Sequence, residues 1–265
     1  MMVQEITTQQ HIHIPYPEIG SEQLLLFTTC IEKKDEKGRL DVDLFKRRVN
    51  VVYLGKTGNS IRYQLFLYES TLELSARLDK YNVLLTRMSY VFDECYIAVD
   101  ESGHLVEVLN WEFIQYRWEV IKSRLLPDFE GEKFAPFFEE MEARVKDKES
   151  ILDFLQQPSM YGLYFNGYRD LKEQEVPISY RPLFEDNDPL TIVETVTAQE
   201  VRKQDNQIVT LEIQGAEEGS ASICLEGQFR YLDGLLHDGF KELNIGSQHS
   251  SYSVKWVGLK KVLPE

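Results

Sequence analysis

The amino-acid sequence predicts an α+β fold in which mostly antiparallel sheets flank a central helical segment. The expected order is a strand-rich N-terminal part, a helical middle and an all-strand C-terminal part. Three observations carry this. Strand-like alternation dominates both ends, apolar residues recur at helical spacing from Asn110 to Leu155, and no βαβα alternation of a doubly wound parallel sheet occurs.

Taken in order, Met1 to Gln10 is polar and reads as a loose arm. His11-Ile12-His13-Ile14 alternates and ends at Pro15-Tyr16-Pro17, which marks a short edge strand. Leu24 to Ile31 predicts a second strand, and Asp35 to Gly38 a polar turn. Val49 to Leu54 and Ile61 to Tyr68 are strands joined by the turn-rich Gly55 to Ser60, a hairpin. In the second, Ile61, Tyr63, Leu65 and Leu67 share one face.

Ser70-Thr71-Leu72-Glu73 fits a capping box, and Leu74, Leu78, Tyr81, Leu85 and Met88 follow at helical spacing, so a helix is expected there. Tyr90, Phe92 and Tyr96 to Val99 suggest a strand with a bulge near Asp93-Glu94. Asp100 to Gly103 then turns the chain into a partner strand at His104 to Leu109. Asn110 is a suitable N-cap for a helix that runs to about Leu126 and stops at Pro127. Trp111, Ile114, Trp118, Ile121 and Leu125 line one side of it, and Phe113, Tyr116 and Val120 form an opposed apolar stripe. Two opposed stripes predict a helix packed on both sides, a buried spine or a docking element.

Phe134, Phe137, Phe138, Met141 and Val145 give the next helix a single apolar face, and Ile151 to Leu155 extends the helical region to Pro158. Strand signals then recur at Ile178 to Leu183, Leu190 to Thr197, Gln207 to Ile213, Ser222 to Tyr231 and Tyr252 to Val262. Turn chemistry separates them at Glu185 to Pro189, Gly215 to Gly219, Asp233-Gly234 and Asp238-Gly239. The division expected is an α+β region over 1–168 and an antiparallel β region over 169–265, which one continuous domain would also accommodate.

The chain has 265 residues and a formal net charge of −15. Such a surface repels phosphate backbones and anionic lipid, so neither nucleic acid nor a membrane is the expected partner. The one compact basic cluster, Lys46-Arg47-Arg48, reads as a solvated strand edge. Cys30, Cys95 and Cys224 are sparse and unpaired in spacing, which fits a reducing, cytoplasmic setting. No N-terminal segment combines a basic stretch with an apolar core, and Leu24 to Phe27 is too short to cross a bilayer.

Gly55-Lys56-Thr57 lacks both the earlier glycine and the following helix of a phosphate-binding loop. His11 and His13 would share a strand face, but His104, His237 and His249 supply no further ligand spacing, so no metal is expected. There is no Gly-x-Ser-x-Gly elbow, the Ser247 to Ser251 loop is only rich in small polar residues, and Asp100 to Gly103 lacks calcium-loop spacing. No cofactor or catalytic residue is assigned.

The candidates for contact with a partner or ligand are aromatic: Tyr161, Tyr164, Phe165 and Tyr168, which crowd a glycine-containing stretch, and Phe113 and Tyr116 of the central helix. The plainer account of the first four is that their rings fill a seam between the helices and the second sheet. The missing catalytic signatures, the doubly apolar helix and the strong acidic charge point to a non-catalytic cytoplasmic interaction protein, an adaptor, accessory or structural subunit with a protein partner. The alternatives are a small apolar-ligand or lipid-type carrier, with a sheet wrapped around a helix, and a hydrolase whose site is assembled from distant residues.

Overall fold

The structure, a computed structural model, describes residues 12–34, 37–58, 60–75, 79–171, 175–180, 190–203, 206–216 and 223–258. Two antiparallel meanders form within it. The first runs through β2 (Glu22–Lys34), β3 (Leu40–Thr57), β4 (Ser60–Leu74), β5 (Glu94–Val99) and β6 (Leu105–Val108). The second runs through β8 (Glu175–Tyr180), β9 (Leu190–Lys203), β10 (Asn206–Ala216), β11 (Ile223–Leu232), β12 (Leu235–Ile245) and β13 (Gln248–Trp256). The short β1 (Ile12–His13) pairs instead with β7 (Asp170–Leu171).

The separate sheets expected at the two ends are one. β2 and β13 pair antiparallel from Lys33↔Gln248 to Leu25↔Trp256, giving an eleven-stranded order β6-β5-β4-β3-β2-β13-β12-β11-β10-β9-β8 among the described residues. Each meander alone would leave a long strand with unpaired N–H and C=O groups, and joining these two edges satisfies both. Alternation is clean along the sheet. In β11, Ile223, Leu225, Gly227, Phe229 and Tyr231 are buried while Cys224, Glu226, Gln228 and Arg230 are exposed.

Among the described residues, α1 (Asp79–Ser89), α2 (Trp111–Leu125) and α4 (Lys148–Leu155) pack on strands of the first meander, and α3 (Ala135–Val145) packs on α2 and α4. Asp147 caps α4, its carboxylate accepting from the Ser150 N–H at 2.8 Å. Asn110 precedes α2 but does not cap it. Its side chain instead accepts from Tyr96 N–H at 2.9 Å and donates to the Glu94 carbonyl at 3.1 Å, fastening the helix to β5.

The capping box at Ser70 is overruled. Residues 70–74 continue β4, and the helix described is Asp79–Ser89. Ser70 lies on the buried face and accepts from the Ser89 hydroxyl at 2.8 Å. Leu72 and Leu74 point the same way, opposite Phe45 and Asp43 of β3. The inward set changes phase because Tyr68, 64 % exposed, is an extra residue between the pairs Val49↔Leu67 and Arg48↔Glu69. The first part of the segment expected as a strand from Tyr90 is a 3-10 turn, Tyr90–Phe92, and β5 follows it.

β12 is the strand that the sequence hides. Asp238-Gly239 lies within it rather than at a turn, because Gly239 is a packing position: a Cβ there would stand 2.2 Å from the Phe229 ring. The expected turns at Glu185 to Pro189 and from residue 217 to Gly219, the strand residues 181–183 and 259–262, and the arm with His11 lie outside the described residues.

The buried spine is not α2. Phe113 and Tyr116 are 50 % and 65 % exposed, so the helix is packed on one side only, through Ile114, Trp118 and Leu125. The spine is the segment from Ser159 to Leu171, which crosses the sheet and bonds to strands of both meanders. Tyr164 donates to Gln23 of β2 at 3.1 Å, Asn166 donates to the Tyr231 hydroxyl of β11 at 2.8 Å, and the Tyr168 hydroxyl meets Glu194 of β9. Arg169 then donates to the carbonyls of Pro15 and Gly234 at 2.8 and 2.9 Å.

Candidate functional site

A cavity of about 130 Å³ lies where β2, β3 and β4 face α1, α3, α4 and the start of the spine segment. Its walls are mainly apolar and graded in burial. At the inner end Met88, Phe92, Met160 and Tyr161 are buried. Toward the outside Leu72, Leu85, Phe137 and Met141 are half-buried, and Glu140 is exposed. The extension of β4 beyond the Tyr68 bulge supplies Leu72 and Leu74 to one wall, and α3 supplies the opposite one. Closed off and empty, that volume would cost roughly 3 kcal/mol at ~24 cal/mol per Å³.

Arg47 sits at the inner end and is 3 % exposed. It is the middle residue of the basic cluster expected at a solvated edge. Lys46 and Arg48 do face solvent, but β3 is an interior strand and its alternation turns Arg47 inward. Its Nη1 donates to the Met160 Sδ at 3.0 Å, and its Nη2 to the Met160 carbonyl at 2.7 Å and to the Ser159 carbonyl. The guanidinium also lies over the rings of Phe45, Tyr161 and Phe27, at 4.9, 5.1 and 5.7 Å.

Every one of those partners is uncharged. Among the described residues no carboxylate lies within ion-pair distance of Arg47. Burial therefore pulls its pKa down to about 10, with Tyr161 acting against that shift. An unpaired interior cation costs several kcal/mol. Ring faces return about 0.5–2 kcal/mol each, and hydrogen bonds from a charged donor about 1.5–3 kcal/mol each.

A second polar group shares this end. Ser159 is 4 % exposed, lines the cavity, and its hydroxyl has no hydrogen-bond partner among the described residues. The outer charges are already matched: Arg144 pairs with Glu140 and stacks over Phe154 at 4.3 Å, and Asp43 accepts from the Ser75 N–H at 3.2 Å.

The structure scatters the aromatic candidates. Tyr161 lines the cavity. Tyr164, Phe165 and Tyr168 are buried in the core, where Phe165 packs edge-on to Tyr63 at 5.2 Å and Tyr168 to Phe229 at 5.8 Å. Phe113 and Tyr116 lie on the outer face of α2 with ring centroids 6.4 Å apart, Phe113 partly covered by Arg117 at 4.7 Å. Arg47 and Ser159 escape sequence reading, although extending the alternation of Val49 and Val51 back through Arg47 and Phe45 would have put Arg47 on the buried face.

Of the histidines considered for metal, His13 is exposed and stands 3.8 Å from Asp170. Among the described residues no group of three or more His, Cys, Asp or Glu side chains is placed to hold a metal ion. Nor is any helix among them long and apolar enough to cross a membrane.

No protein-family model matches the chain, and no curated protein does. Among solved structures it is similar to one described as "Lipid-protein interactions in lipovitellin", with a TM-score of 0.43 and 9 % identity. That alignment covers 94 % of this chain and 26 % of the other, so the chain spans about a quarter of that protein's length. A likeness at this level does not extend to a shared fold or ligand.

Proposed function

We propose that the chain is a non-catalytic binding protein that holds a small ligand with an apolar body in the cavity between β2–β4 and α1, α3 and α4. The observation that carries this reading is the graded apolar cavity itself, about 130 Å³, with a polar inner end formed by Arg47 and Ser159. Concave, mostly apolar sites with a few placed polar groups are the usual form of small-molecule sites. The volume is well below the roughly 300–1,000 Å³ of drug-sized pockets, which favours a slim occupant over a bulky one.

The test is native mass spectrometry of the gently purified protein, together with thermal shifts across single-chain amphiphiles. Binding is expected for the native chain and lost in Leu85→Trp, whose indole would fill the cavity. Bare polypeptide in the spectrum and no shift with any chain would end this reading.

A second reading, a protein-binding adaptor or assembly subunit of the cytoplasm, is supported by Phe113 and Tyr116, two large rings presented to solvent by α2. It requires a partner at fixed stoichiometry that is retained by the native chain and released by the double change Phe113→Ser and Tyr116→Ser. Retention by that variant would count against it.

A further inference from the structure

We propose that the cavity receives a single-chain anionic amphiphile, its negatively charged head held by the Arg47 guanidinium and its chain running outward between Leu72 and Met141. This rests on the binding reading above and adds the sign and place of the head group.

The charge at the inner end points to a head there. Arg47 is a buried cation whose partners, the carbonyls of Ser159 and Met160, the Met160 thioether and three ring faces, bring no negative charge. A buried cation without a counter-charge is matched by an acceptor carrying negative charge.

The route outward excludes the opposite orientation. The rim carries Asp43 and Glu140 beside Arg144, and these are engaged with the Ser75 N–H and with each other across the Arg144–Glu140 pair. An anion at the mouth would meet two carboxylates and one occupied cation. The stretch between mouth and inner end is apolar, which suits an alkyl chain. A carboxylate and a phosphate monoester both meet these requirements.

Isothermal titration of the whole chain with decanoate, decyl phosphate, decanol and decylamine separates the possibilities. The expected result is one-to-one binding in which at least one of the two anions binds about tenfold or more tightly than decanol and decylamine. The ratio of decanoate to decyl phosphate then names the head. Arg47→Gln should bring the anions to the level of decanol. The ratio of anion to decanol affinity is read on the native chain, so the test holds whether or not Arg47→Gln folds. Equal affinity for decanol, or preference for decylamine, overturns the anionic head while leaving the cavity as a binding site. No binding of any of the four overturns the binding reading and this inference together.

Discussion

The guanidinium of Arg47 lies 5.1 Å over the ring of Tyr161, and its Nη2 also donates to the carbonyl of the preceding residue, Met160, at 2.7 Å. One side chain of β3 thereby fastens the start of the spine segment to the sheet. Arg47→Ala would leave the Ser159 and Met160 carbonyls without their donor and enlarge the cavity beside them. We expect a loss of about 2–4 kcal/mol in urea unfolding. A variant as stable as the native chain would show that the clamp contributes nothing net.

Glu194 of β9 and Lys241 of β12 form a buried contact between strands, 2.6 Å apart, with Tyr168 on the other carboxylate oxygen. Glu194 is fully buried and Lys241 is 5 % exposed. Lys241→Met takes the ammonium from the buried carboxylate and should cost about 3–5 kcal/mol. Adding Glu194→Leu should recover at least half of that, since both charges of the pair are then gone. A purely additive second loss in chemical denaturation would contradict this account.

Gly239 has no room for a side chain, because a Cβ would lie 2.2 Å from the Phe229 ring, itself packed against Tyr168. Gly239→Ala should lower stability by about 1–3 kcal/mol, through displacement of that ring. The cost should appear in the thermal midpoint, with Phe229→Leu in the same chain reducing the penalty of the alanine.

Glu142 accepts from Lys122 and from the Trp118 indole N–H, at 2.5 and 3.0 Å, and these hydrogen bonds hold its carboxyl below the ordinary value of 4.5. A folded value below the unfolded one means that its contribution is complete above pH 4.5 and disappears as the pH falls through the lowered value. Urea midpoints across acid pH should therefore show Glu142→Gln less stable than the native chain near neutrality and converging with it in acid. A constant gap across that range would exclude the linkage.

Much of the secondary structure was legible because its signals are local. The alternation of Ile61, Tyr63, Leu65 and Leu67 and the three-four spacing of Ile114, Trp118, Ile121 and Leu125 each mark the buried face found in the structure. Where local signals conflicted with long-range pairing, the pairing won. The capping box at Ser70 offers a helix terminus worth ~1 kcal/mol. Leu72 and Leu74, as strand residues opposite Phe45 and Asp43, gain ladder hydrogen bonds and burial worth more in sum. β12 was hidden by the same conflict, since Asp238-Gly239 has turn chemistry and only the Phe229 ring across the sheet explains the glycine. The candidate site was less legible than the fold: of its aromatic residues Tyr161 alone lines the cavity, and the charged group at its inner end looked like a surface residue.

The sequence by itself determined the acidic charge, the α+β class, the position of most strands and helices and the inward face of several, such as the Ile61 to Leu67 face of β4 and the Ile114 face of α2. Periodicity and end signals reside within a few neighbouring residues, and no partner element is needed to read them. Only the tertiary structure decided that two meanders join at β2 and β13, that residues 159–171 rather than α2 form the spine, and that Arg47 ends in an apolar cavity. Those outcomes depend on which edges and faces meet across more than a hundred residues of chain; alternation shows which residues share a face, but not which strand or segment that face meets.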